Sequence, residues 1–519
     1  MSKLLSRKWL LIVLAAALFV MAGCQAVGGV DLNSVLKKSL KVTSSESKQT
    51  FELKMDFQEE ALEELDEEER LLLELVSNLK VELNDVKYED SNHMSLEGKF
   101  IFNQEQSIGF AMQISSTTLA VQLEGAKQPF VLDLTADMLT EEELSELGMD
   151  EASVAELGVK IMDAVSGYAI DNLPNPKSIK VAPAFESING ITTSVMHASA
   201  ELDGAEIWSL LGDYIDALLA DRKGMDAMLN ELITILMSNE ALAEELDLYL
   251  NTGELDAPTK EDLVKEAADA ITEALTELRL NMDDSVLGDM AEALFNKALT
   301  VKADVYVDSN LNIRKQGLDV NFTIDEESEL SFLPIRSIQI KTMSEIWNVN
   351  GEVKADKPVI TEKSIDLYEM DMMEGYEVVN LFKDDSMIYD ILKNKLHLTH
   401  QSYVAFSNDY YNAPIIVPGY ITIVPIRDVA DAFGAETTYD AKTKTITVHD
   451  IATGTIIKTT VGSDIANING KNVKWSFPTT IIDGTGYVAA RSLSEALNAS
   501  IEWTKLYEDV KLLTIEREL

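Results

Sequence analysis

Apolar side chains recur at every second position in stretch after stretch of this chain. They do so at Phe51, Leu53, Met55 and Phe57; at Leu96, Phe100 and Phe102; at Ile108, Phe110, Met112 and Ile114; at Leu119, Val121 and Leu123; and at Phe130, Leu132 and Leu134. Past residue 300 the period returns at Val301, Ala303, Val305 and Val307, at Leu318, Val320, Phe322 and Ile324, and at Ile338 and Ile340. Successive side chains of a strand point to opposite faces. The pattern therefore predicts strands with one apolar and one wet face, as in an antiparallel sheet. Asn189-Gly190 marks a turn into a further strand from Thr192 to Leu202, and Asp308-Ser309-Asn310 marks a hairpin after Val307.

Between the strand groups the period changes to that of a helix. Asp31 or Asn33 is expected to cap a helix through Val35, Leu36 and Leu40. Gln58 to Leu79, dense in Glu and Leu, reads as an acidic helix. A calcium site there lacks the Asp/Asn/Gly spacing of a calcium loop, so a solvated face is the reading adopted. Thr140-Glu141-Glu142-Glu143 is a capping box opening a helix through Leu157, Ile161, Met162 and Val165, with Pro174 and Pro176 beyond its end. Residues 205–297 form a long helical insert. It begins with Ile207, Leu210, Leu211, Tyr214, Ile215 and Leu218 on one face and resumes after Pro258 through Leu263, Ala267, Ile271, Leu275 and Leu278. Within it Leu229 to Met237 is apolar nearly all round and is expected to be buried or to cover something apolar. The fold class is α+β.

Hydrophobic content of 46% suffices for real cores and argues against wholesale disorder. A net charge of −46 disfavours nucleic acid and anionic head groups as partners and suits a solvated secreted surface. Cys24 is the only cysteine, so the fold rests on packing without a disulfide. It ends a tract with a basic start (Lys3, Arg7, Lys8) and an apolar run from Trp9 to Met21, shorter than the roughly 20 residues that span a bilayer. The tract resembles a bacterial lipoprotein signal peptide, and Ala22-Gly23-Cys24 resembles its lipobox, with Met21 in place of the usual Leu. The resemblance implies cleavage before Cys24 and a diacylglyceryl group on its thiol, carrying acyl chains such as palmitate. It would hold the chain to the cell membrane, facing outside. Gly28 and Gly29 make residues 24–30 a short tether.

The run Glu186-Ser187-Ile188-Asn189-Gly190-Ile191-Thr192-Thr193, followed after the helices by Val305-Tyr306-Val307-Asp308-Ser309-Asn310-Leu311-Asn312-Ile313-Arg314-Lys315, resembles the lipoprotein-carrier group of envelope proteins. The resemblance covers roughly residues 31–350. It implies a half-open antiparallel sheet wrapped around helices, whose hollow holds an acyl chain in some members.

The C-terminal part repeats itself. Val424-Pro425-Ile426-Arg427 through Phe433-Gly434-Ala435 is matched by Val488-Ala489-Ala490-Arg491 through Leu497-Asn498-Ala499. Arg427 pairs with Arg491 and Ala435 with Ala499 at one offset, so one supersecondary unit is used twice. Each unit is read as a strand, a short helix and a hairpin, with Gly434 and Asn498 as left-handed helix caps. Asn469-Gly470 and Asp483-Gly484 supply hairpin turns between the copies. The module is similar to the copper amine oxidase N-terminal-like, or stalk, domain, which is separate from the copper-bearing catalytic domain and is common in envelope proteins of Gram-positive bacteria. The expected organisation is a signal peptide over 1–23, a tether over 24–30, a half-barrel-like body over 31–370, a linker over 371–395 and the duplicated module over 396–519.

No catalytic constellation emerges. There is no Ser elbow, Walker loop or dinucleotide fingerprint, and no mature thiol beyond Cys24. The five histidines are His93, His197, His397, His400 and His449. His397-x-x-His400 would bring two imidazoles together on a helix turn but lacks a third ligand nearby. Asn408 to Asn412 does not match the setting of a quinone-forming tyrosine. Trp347, Trp475 and Trp503 are expected in packing rather than as a sugar platform. The only site residue assigned is Cys24, for lipid attachment. No metal, cofactor or catalytic residue is expected, and no ligand-binding residue is named. The reading is a non-enzymatic, lipid-anchored binding or scaffold protein whose module contacts wall polymer or another envelope protein. The alternative is a carrier or sensor of an apolar ligand held by the body under the helices of 205–297.

Overall fold

The computed structural model describes residues 29–519 apart from 64, 104–105, 136–148, 150, 239–258, 283–293, 325–333, 371, 410 and 507–509. Contacts divide the chain into two units, residues 1–124 with 128–367, and residues 125–127 with 368–519. Cys24 and the Thr140 capping box lie outside the described residues.

The first unit is built on twelve strands: β1 Ser45–Phe57, β2 Asn78–Asp90, β3 His93–Phe102, β4 Gln106–Ser115, β5 Thr118–Leu123, β6 Phe130–Asp133, β7 Lys180–Ile188, β8 Ile191–Asp203, β9 Leu299–Val307, β10 Ile313–Thr323, β11 Ile335–Trp347 and β12 Ile365–Asp366. They lie in the order β12-β6-β5-β4-β3-β2-β1-β11-β10-β9-β8-β7, antiparallel except for the short β12–β6 pair. The sheet forms a half-barrel.

Register explains its two faces. Leu202, Val301, Val320, Ile340, Leu53, Leu79 and Phe102 stand opposite one another in a single apolar row from β8 to β3. One residue along, Glu201, Lys302, Asp319, Lys341, Glu52 and Lys80 form a row of alternating charge on the other face. Lys341 meets Asp319 at 3.1 Å and Lys80 meets Glu52 at 3.3 Å. A one-residue slip would carry these charges to the apolar face, so the rows specify the register.

Seven helices of this unit are described: α1 Leu32–Ser39, α2 Glu59–Glu63, α3 Glu67–Ser77, α4 Glu151–Asp171, α5 Gly204–Ala220, α6 Arg222–Met237 and α7 Lys260–Met282. The expected acidic helix over 58–79 is thus two helices, and its last residues already belong to β2. Only part of the helical insert covers the sheet. Ile207 and Leu210 of α5 bury against Ala200, Leu202, Val301, Ala303 and Val320. The run Leu229 to Met237 does not lie over the sheet. Leu229 of α6 packs with Met225, with Ala268 of α7 and with Tyr168 of α4, forming a bundle of its own, and Met237 is exposed.

After a helical turn over Leu367–Met370, the second unit continues with α8 Gly375–Asn380 and α9 Met387–Asp390, which runs into a π turn over Ile391–Lys395. Residues 371–395, expected as a linker, are therefore folded, and Val379, Phe382 and Ile391 are buried. The remaining elements are β13 His400–Phe406, β14 Ile415–Val417, β15 Ile421–Pro425, α10 Ile426–Ala432, β16 Glu436–Asp440, β17 Thr445–Asp450, β18 Thr455–Thr460, β19 Ile465–Ile468, β20 Lys471–Lys474, β21 Thr480–Ile482, β22 Thr485–Ala489, α11 Ala490–Ala496, β23 Ser500–Lys505 and β24 Lys511–Glu518. The duplication appears directly, because β15 and β22 pair antiparallel and each leads into its short helix. Both helices end alike. Gly434 and Asn498 take positive φ, Ala435 N–H donates to Ala430 O at 2.9 Å, and Ala499 N–H donates to Ser494 O at 2.8 Å. One core gathers Ile426, Val429, Phe433, Leu493, Leu497, Leu513 and Ile515.

Candidate functional site

The apolar face of the half-barrel is unevenly covered. At the β8–β10 side, α1 anchors Val30, Leu32 and Val35 against Ala198, Val305 and Val307. Asp31 caps this helix, its carboxylate accepting from Ser34 N–H at 3.2 Å and from Ser34 Oγ–H at 2.6 Å. Those bonds hold its carboxyl below the usual range. At the start of β2, α3 packs on β1 and β2 and buries Leu75.

Among the described residues the strip between is open. Leu53, Val81, Leu83, Leu318 and Ile340 are only half-buried, and Phe51 is 36% exposed. A groove of about 590 Å³ lies over this strip, lined by Leu36 of α1, by Phe51, Val81, Leu83, Val305, Ile313 and Leu318, and by the polar Gln49, Gln316, Thr342 and Ser344. Its volume falls within the roughly 300–1,000 Å³ of small-molecule sites. The alternation in β1, β2, β9, β10 and β11 supplies the floor. Which helices leave it bare is decided by contacts distant in sequence, and no local signal marks it.

The histidines are dispersed. His93 lies 2.9 Å from Asp90. His197 lies 2.7 Å from Asp304 and stacks on Tyr306 with ring centres 4.3 Å apart. His397 sits at positive φ in a turn and His400 opens β13 beside Glu516 and Glu518, so the expected helix turn joining the two imidazoles is not formed. Among the described residues no group of three or more His, Cys, Asp or Glu is placed to hold a metal ion. Trp475 is buried in the core of the second unit, and Trp503 packs against it while donating its indole N–H to Thr422 Oγ1 at 3.2 Å. Among the described residues no helix is long and apolar enough to cross a membrane.

The second unit holds a buried ionic cluster that the sequence did not reveal. Arg517 donates to both carboxylate oxygens of Asp450, at 2.5 and 2.9 Å, and to Leu497 O at 3.0 Å. Its Nε–H donates to Gln401 Oε1 at 2.8 Å, and the guanidinium lies over the Phe433 ring. Each of its three nitrogens donates within the core, four hydrogen bonds in all, which marks it as a structural clasp rather than a reactive site. Arg427 and Arg491, the pair matched by the repeat, are both exposed at the starts of α10 and α11.

Residues 404–512 match the copper amine oxidase N-terminal domain. That domain is a non-catalytic module, and no catalytic family is indicated. No curated protein matches the chain.

Proposed function

We propose that this chain is a non-enzymatic binding protein of the cell envelope whose half-barrel shelters an apolar ligand. The observation that carries the reading is the open groove over β9, β10, β11, β1 and β2, with its apolar floor and its mouth beside α1. An exposed apolar strip of this kind is disfavoured unless something covers it. In this reading a diacylglyceryl group on Cys24 tethers the chain to the membrane, facing outside, and the half-barrel takes up the acyl part of a ligand. The apolar run of α6 is not its lid, since it is consumed in the bundle with α4 and α7.

The test is to purify the protein from residue 25 onward out of a bacterial host without detergent. Native mass spectrometry is followed by solvent extraction. The expected result is a stoichiometric lipid that survives purification. Bare protein that also fails to take up added fatty acid would end the reading.

A second reading concerns the duplicated module, which contacts wall polymer or another envelope protein. It is favoured by the exposed aromatic side chains Tyr411 and Tyr420 and by the matched Arg427 and Arg491. Co-sedimentation of the protein with purified wall material, weakened when both arginines are replaced by Ser, is the expected outcome. Equal sedimentation of the two proteins would remove that support.

A further inference from the structure

The groove floor is graded along the strands. Ser344 of β11 stands opposite Gln316 of β10 and Gln49 of β1, so three adjacent strands place three hydrogen-bonding side chains in one row. The next row on that face is Leu318, Thr342 and Phe51, and the one after is Val320, Ile340 and Leu53. Polarity is thus greatest at one end of the trough: the second row keeps a single hydroxyl, Thr342, and the third, roughly 13 Å from the first, is wholly apolar.

Ser344 is 8% exposed, and among the described residues its Oγ has no hydrogen-bond partner. A buried hydroxyl left without a partner is disfavoured, and natural structures keep few of them. Gln49 and Gln316 beside it are exposed. Gln49 presently donates to Ser47 Oγ at 3.2 Å.

We propose that this row receives the ester or amide carbonyl of an acyl-bearing ligand, whose hydrocarbon chain then lies along Phe51, Val81 and Leu318 of the groove lining. The Ser344 hydroxyl donates to the carbonyl oxygen, and the side-chain N–H groups of Gln49 and Gln316 supply further donors around it. A plain hydrocarbon would leave the hydroxyl unpaired. A carboxylate would face the same donors, but in a chain whose net charge is −46. The neutral carbonyl is the group that fits. The inference rests on the apolar-ligand reading above.

The experiment uses two probes that differ at one atom pair. One is 1-palmitoyl-lysophosphatidylcholine, and the other is its 1-O-hexadecyl ether, which has the same chain and headgroup but no carbonyl. Affinities below micelle concentrations are measured by equilibrium dialysis on the protein from residue 25 onward and on its Ser344→Ala and Gln49→Leu variants. The protein is expected to prefer the ester about tenfold, the share of one neutral hydrogen bond. In Ser344→Ala the preference falls below about twofold while the ether still binds as before. Equal binding of ester and ether by the unaltered protein, or an unchanged preference in both variants, would overturn the assignment while leaving the groove an apolar site. Failure of both probes to bind would instead remove the apolar-ligand reading itself.

Discussion

Asp450 is fully buried, and its carboxylate is compensated almost entirely by one side chain. Burial would raise its pKa, but hydrogen bonds from Arg517 and Thr453 and the nearby guanidinium charge outweigh that and hold it below the usual carboxylate value. A carboxyl with a depressed folded pKa stabilises the fold above its unfolded pKa of about 3.9. That contribution is lost as pH falls through the folded value. The second unit is therefore expected to keep full stability down to about pH 4 and to weaken below it. Asp450→Asn leaves Arg517 buried against a neutral partner and should cost about 3–5 kcal/mol in urea unfolding followed by tryptophan fluorescence. Replacing Asp450 and Arg517 together by Leu should restore much of the loss. A single variant as stable as the parent would show that the clasp is incidental. This pair was not legible beforehand, because its members lie far apart in sequence and neither belongs to a local pattern. The caps at Gly434 and Asn498 were legible because a helix end is a local event.

Among the elements of the large sheet, the alternating strands declare themselves, and β2, β7 and the two-residue β12 do not. β2 leaves no clear alternation, only Asn78 and Leu79 falling in the acidic stretch read as helix, because its period breaks at the register shift between Leu83 and Asp85. β7 was missed because Ala182, Pro183 and Ala184 weaken its pattern, and an edge strand tolerates proline. The charge row makes a prediction at this scale. Glu52 stands between Lys341 and Lys80, so Glu52→Lys sets three cations side by side. The expected loss is about 1 kcal/mol, partly recovered at high salt. A loss insensitive to salt would point to packing instead. Gly98 makes another. A Cβ there would meet Glu82 O at 2.4 Å and Leu83 Cδ2 at 2.9 Å, next to the stacked rings of Phe100 and Phe110. Gly98→Ala should therefore destabilise the sheet by about 1–3 kcal/mol in thermal or urea unfolding, and an unchanged midpoint would contradict that packing.

For the molecule as a whole, the α+β class and the presence of a duplicated C-terminal module followed from periodicity and repetition alone. The boundary did not. Residues 371–395 carry few local core signals, yet they fold into the second unit because Val379, Phe382 and Ile391 are buried there. The candidate site was legible only as strands. Its openness depends on α1 and α5 covering β8 to β10 while α6 and α7 pack elsewhere, and such pairings between distant segments leave no mark in a local window. The central claim is that the strip left bare is where an apolar ligand sits. The measurement that tests it most directly is photo-crosslinking with a lysophosphatidylcholine whose acyl chain bears a diazirine, followed by peptide mapping, on the parent protein and on Phe51→Glu. The account predicts label on peptides containing Phe51, Val81 and Leu318, and its disappearance in the variant with the thermal midpoint little changed. Label confined to the α6–α7 bundle, or label that survives Phe51→Glu undiminished, would contradict it.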